Sequence, residues 1–140
     1  MRIVIVEDEP KSREGLVSVI QRFTKYEIAG IGENGEEGFA LVKEKRPDLV
    51  ISDIKMPVLD GLGMLQKIKD EQIEIQAILL TGYSEFEYAR RALQLQVVEY
   101  ALKPLDIDQF LTVLKKVDGK IQKKKSEMLS PDQLLFSYIN

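Results

Sequence analysis

A chain of 140 residues with 44% hydrophobic and 31% charged residues has the size and balance of one globular domain around a single core. Its net charge of −3 argues against a nucleic-acid binder in its own right, since such domains carry a basic excess. It has no Cys and no His, which excludes disulfides, thiolate and Ser–His nucleophiles, and the usual zinc and copper sites.

Chemistry must therefore use Asp, Glu, Lys, Ser, Thr or Tyr, and any metal should be a hard, oxygen-liking cation. The apolar run after Met1-Arg2 ends at Val6, before Glu7-Asp8-Glu9, too soon for a signal peptide. No stretch is long enough to span a bilayer. The expectation is a cytoplasmic protein with no membrane partner.

Strand-like and helix-like runs alternate along the chain. RIVIV (residues 2–6) reads as a strand, after which Leu16, Ile20 and Phe23 share one helical face. YEIAGI (26–31) is a second strand, and the helix after Asn34-Gly35 turns Phe39 and Val42 inward. LVIS (49–52) is a third, and the helix after Asp60-Gly61 carries Leu62, Leu65 and Ile68. IQAILL (75–80) is a fourth, and Ser84-Glu85-Phe86-Glu87 fits a capping box that opens a fourth helix. VVEYAL (97–102) is a fifth, followed by the clearest amphipathic stripe, Ile107, Phe110, Leu111, Leu114 and Ile121.

This alternation implies parallel strands joined by right-handed crossovers. The continuous apolar strands imply helices on both faces. The fold class is α/β, a doubly wound sheet of five parallel strands; the pattern does not give their order. Residues 1–122 read as that domain. Residues 123–140 read as a linker, or the start of a helix, toward a second domain outside this chain; a last helix docked on the core is the alternative. The basic run Lys123 to Lys125 reads as a solvated helix end, and Ser130-Pro131-Asp132-Gln133 as a helix start.

Open parallel sheets bind ligands beyond the carboxyl ends of their strands. There the first strand delivers Glu7 and Asp8, the third Asp53, the fourth Thr81 followed by Gly82, and the fifth Lys103-Pro104. Three crowded carboxylates repel unless cations offset them. Lys103 supplies one charge. A Mg²⁺ would supply two more, bound through carboxylates, waters and phosphate oxygens. A metal, a Lys and a hydroxyl donor suit phosphoryl handling, in which a carboxylate can be the nucleophile. Each residue alone has a plainer reading: Asp53 as a loop residue, Glu7-Asp8-Glu9 as caps at the positive end of a helix, Thr81-Gly82 as a turn. Their arrival at one edge on four strands carries the argument.

The stretches VIVEDE (4–9), SDIKMPVLDG (52–61), LLTGYSEFEYARRAL (79–93) and EYALKP (99–104) resemble the receiver domain of bacterial two-component response regulators, over about residues 2–122. TGYSEFEYARRAL with VVEYALKP is most similar to regulators whose output domain is an AraC-type helix-turn-helix DNA binder, which lies outside this sequence. The resemblance implies a flavodoxin-like, (βα)5 receiver fold. It implies that Asp53 accepts a phosphoryl group from a phosphohistidine on a sensor histidine kinase. Asp8, Asp53 and the backbone carbonyl of Lys55 would bind Mg²⁺, with Glu7 holding it through water, where the family often has Asp. Thr81 and Lys103 would contact phosphate oxygens, and Pro104 would follow a cis peptide bond.

The resemblance also implies a switch. Thr81 moves toward the phosphoryl group and Tyr100 rotates inward, which reshapes the face made by the fourth helix, fifth strand and fifth helix, including Tyr88 and Arg91. The implied readout is homodimerisation or release of the DNA-binding domain, hence transcription regulation. Gly82 would leave room near the phosphate, with Lys55 and Tyr83 flanking it. A haloacid-dehalogenase-like phosphatase also uses a strand-end Asp and Mg²⁺, but needs an acid two residues on, where this chain has Lys55. A degenerate receiver that only binds partners is disfavoured because every site position is filled.

Overall fold

Five strands and four helices occupy residues 1–82 and 98–127, the part of the chain that the computed structural model describes. In chain order they are β1 (Arg2–Val6), α1 (Pro10–Phe23), β2 (Glu27–Gly32), α2 (Gly35–Lys45), β3 (Leu49–Asp53), α3 (Gly61–Asp70), β4 (Gln76–Thr81), β5 (Val98–Leu102) and α4 (Ile107–Glu127). α4 is the fifth helical stretch expected from sequence. The fourth, from Ser84, with Tyr83, Tyr88 and Arg91, lies outside the described residues, as does the helix start at Ser130.

The strands form one parallel sheet in the order β2-β1-β3-β4-β5, that of the flavodoxin-like fold. Alternation along each strand divides the core in two. Ile3, Ile5, Leu49, Ile51, Ile78 and Leu80 face α1 and α4, against Leu16, Ile20, Phe110, Leu114, Val117 and Ile121. Val4, Val6, Val50, Ala77 and Leu79 face α2 and α3, against Val42, Met64, Leu65 and Ile68. Each such Leu or Ile contributes roughly 1.5–3 kcal/mol by leaving water. These two layers hold the strand ends in place.

The register sets what reaches the carboxyl edge. Val6 pairs with Ser52, Asp53 with Leu80, and Thr81 with Leu102. β3 is buried along its whole length and extends one residue past the expected limit, so Asp53 is its last residue. β4 likewise ends on Thr81.

Two side chains expected to face inward do not. Phe23 is 53% exposed and Ile107 44% exposed. Helical spacing gives a direction around the axis but not what lies under each turn, and both residues stand at a helix end. Phe23 instead carries the Arg22 guanidinium over its ring, 5.6 Å from the centroid.

Local chemistry explains the helix starts. Asn34 Oδ1 accepts from the Glu37 N–H at 2.9 Å, and Asp60 Oδ1 from the Gly63 N–H at 2.7 Å, two N-caps. α1 begins at Pro10 with Glu9 in the cap position, but no side chain caps it. The acids before α1 are therefore not spent on capping.

The last buried residue of α4 is Ile121, yet the helix runs on to Glu127. Lys116 and Lys120 pair with Glu99, Lys124 with Glu74 at 3.3 Å, and Lys125 with Asp48 at 3.2 Å. The basic stretch is thus largely ion-paired to the sheet edge and its loops. No helix among the described residues is long and apolar enough to cross a membrane.

Candidate functional site

β1 and β3 are neighbours whose following helices lie on opposite faces of the sheet, and the crevice between such strands is where open sheets take ligands. Glu7 and Asp8 follow β1 directly, Asp53 ends β3, Thr81 ends β4, and Lys103 follows β5. The sheet thus brings five side chains singled out from sequence to one edge.

The three carboxylates converge: each of Glu7, Asp8 and Asp53 offers an oxygen within 4.8 Å of the other two. Asp8 is exposed, whereas Glu7 is fully buried and Asp53 nearly so. Burial first, and the Asp53 charge second, push the Glu7 carboxyl up from its ordinary 4.5 to about 7, against the lowering pull of Lys103. Lys103 Nζ lies 2.8 Å from Asp53 Oδ2 and 3.6 Å from Glu7 Oε2. The other Asp53 oxygen accepts from the Ile54 N–H at 2.8 Å.

Glu7 Oε2 is buried without a hydrogen-bond donor. A buried polar oxygen left so is costly. With three carboxylates and one ammonium, the site has room for more positive charge. The oxygen-only donor set and the orphaned Glu7 oxygen fit a hard divalent cation, which this cluster could hold.

Thr81 is buried, and its hydroxyl donates to the Gly82 carbonyl at 3.1 Å. Alternation puts Thr81 and Tyr100 on the same face of the sheet, because Tyr100 pairs with Leu79, two residues before Thr81. Tyr100 is partly buried against the cluster under α2 and α3. The Lys103–Pro104 peptide is cis, and the Lys103 N–H bonds to Thr81 O at 2.8 Å. A Cβ at Gly82 would meet nothing within 4 Å among the described residues. Lys55 is exposed on the loop after β3.

Sequence reading missed Arg13. Its guanidinium donates to Glu7 O at 3.0 Å and pairs with Glu33 at 3.5 Å, which pins the acidic turn from the first turns of α1. No spacing rule points to it, since it acts on backbone rather than on the carboxylates.

A family model described as the response regulator receiver domain matches residues 3–115. The chain is 33% identical to a probable C4-dicarboxylate response regulator, DctR, of Bacillus subtilis, over 95% of this chain and 59% of that one. It is 31% identical to YesN of the same organism, described as an uncharacterized transcriptional regulatory protein, over 88% of this chain and 34% of that one. The chain thus spans only part of the length of these relatives. Among solved structures, the receiver domain of AraT, a response regulator from Geobacillus stearothermophilus, superposes with a TM-score of 0.81 at 34% identity, covering 89% of this chain and 97% of that one. A response regulator receiver domain protein from Clostridium thermocellum gives 0.78 at 27% identity, covering 91% and 98%.

Proposed function

This chain belongs to the response regulator receiver domain family, and we propose that it is a signalling switch whose acceptor is Asp53. The observation that carries the reading is the Asp53 carboxylate, held at a strand end 2.8 Å from Lys103 and beside the unpartnered Glu7 oxygen.

A sensor histidine kinase presents a phosphohistidine; this chain has no His of its own. Asp53 attacks the phosphorus, an O–P bond forms as the N–P bond breaks, and the departing imidazole takes up a proton. Lys103 follows the charge from the carboxylate onto the phosphoryl oxygens, and Thr81 turns its hydroxyl from Gly82 O to another of them. Glu7, Asp8, Asp53 and the Lys55 carbonyl would hold Mg²⁺, which supplies the positive charge that phosphoryl transfer needs.

The new group brings about −1.5 to −2 charge. Thr81, drawn toward it, leaves space on the face it shares with Tyr100, and Tyr100 turns into that space. The face made by β5 and α4 then changes, because the phosphoryl group binds one of its two states better. Homodimerisation, and control of a DNA-binding domain outside this chain, are the outputs we assign, in a cytoplasmic protein.

The test is intact mass after incubation with Mg²⁺ and acetyl phosphate. One added phosphoryl group on the wild type, absent from Asp53→Asn and absent in chelator, is the expected result. An adduct that persists in Asp53→Asn would overturn the assignment. If no adduct survives, a beryllofluoride-induced dimer still supports the switch, and its absence points to a partner-binding module without phosphoryl chemistry.

A further inference from the structure

α2 contributes no side chain to the acidic cluster, yet its first residue touches the loop that carries the acceptor. The Gly35 N–H, one of the donors a helix start leaves without an intrahelical partner, donates to Leu59 O at 2.8 Å. A Cβ on residue 35 would overlap that same oxygen and sit 2.9 Å from Asp60 O. Both are backbone atoms and cannot swing aside as a side chain would.

The loop itself is closed. The Gly61 N–H bonds to Ile54 O at 2.8 Å, so the two ends of the segment after Asp53 are tied together. A Cβ on Gly61 would overlap Asp53 O and lie 3.2 Å from Ile54 Cα. A push at Leu59 and Asp60 therefore reaches Asp53 and Ile54 with little slack in between.

We propose that Gly35 is a positioning residue for the acceptor site: through its N–H and its missing side chain it seats Leu59 and Asp60, and so sets where Asp53 and the Lys55 carbonyl stand. This rests on the reading of Asp53 as acceptor and Lys55 as a backbone metal ligand. It makes α2 part of the site without contact to any reacting atom.

The test compares Gly35→Ala with Gly30→Ala. Gly30 lies in β2, and the three atoms nearest a Cβ there all belong to the Leu41 side chain, the closest its Cδ2 at 2.9 Å, which can swing aside. Gly35→Ala should weaken Mg²⁺ binding about tenfold by calorimetry, as outer-shell changes do. In metal-free protein it should also speed hydrogen exchange at the Ile54 and Gly61 amides. Gly30→Ala should do neither. In the wild type, which needs no variant to fold, the Gly35 amide resonance should shift when Mg²⁺ is added.

A folded Gly35→Ala with wild-type Mg²⁺ affinity and wild-type loop exchange would overturn the proposal. So would a Gly35 amide that stays still while the loop amides shift. A wild type that neither binds Mg²⁺ nor takes a phosphoryl group would sink the acceptor reading instead. The metal-free exchange comparison would then still judge whether Gly35 seats the loop.

Discussion

Lys103 reaches past the end of β4 to place its ammonium 2.8 Å from Asp53 Oδ2, with Glu7 Oε2 3.6 Å away. It is the counter-charge on which the metal-free site depends. Lys103→Met should therefore lower stability in chelator by roughly 1–3 kcal/mol, read from urea denaturation, because it strands buried carboxylate. Added Mg²⁺ should restore most of that loss. A variant as stable as wild type in chelator would show that the cluster does not need the ammonium.

Asp53→Asn should act in the opposite direction. It keeps an oxygen for the Ile54 N–H, removes one of three crowded charges, and leaves Lys103 free to turn to Glu7. In chelator the melting temperature should rise by a few degrees, about what 1 kcal/mol gives at this size. The further rise that Mg²⁺ produces by mass action should shrink. A lower melting temperature in chelator would count against the crowding argument.

Glu99 supplies a pH test outside the acidic cluster, at the other end of β5 from Lys103. The hydrogen bond from Lys120, with Lys116 adding to it and burial opposing it, holds the Glu99 carboxyl below its ordinary 4.5. In the window just under 4.5 the unfolded chain binds a proton there that the folded chain does not, so this contribution is present at neutral pH and is lost as pH falls through the lowered value. Glu99→Gln should cost about 0.5–1 kcal/mol at pH 7 and nothing in strong acid. High salt should shrink the cost at pH 7. A cost that stays constant with pH would mean the ion pairs do not carry it.

Val58 offers a stabilising change. It is a β-branched residue with φ of 70° and 81% exposure, on the loop after Asp53. Left-handed backbone costs such a residue about 1–2 kcal/mol, and Asn tolerates it better. Val58→Asn should raise the denaturation midpoint by the equivalent of about 1 kcal/mol without changing the slope. An unchanged midpoint would show that the loop already absorbs the strain.

Much of this was legible in the chain. Short, continuous β-rich runs located all five strands, and the edge rule brought Glu7, Asp8, Asp53, Thr81 and Lys103 together, because each stands just after or at the end of such a run. Strand order was not legible, since alternation says nothing about the side on which each crossover returns. Nor was the outward turn of Phe23, because periodicity does not tell where the sheet stops. Arg13 and Gly35 stayed hidden for a different reason: both act on backbone atoms of distant segments, Arg13 on Glu7 O and Gly35 on Leu59 O, and no local pattern reports such a contact.

α4 starts four residues after Lys103 and spans 21 residues, so it is about 31 Å long and ends at the edge of the sheet away from Asp53. Phe110, Leu114, Val117 and Ile121 seat it on the sheet along much of that length. The ion pairs of Lys124 and Lys125 sit at that far end. One continuous rod of that length joins the two edges of the sheet, so a shift begun near Lys103 would be carried to the opposite edge, where those exposed salt bridges would add only a small resistance.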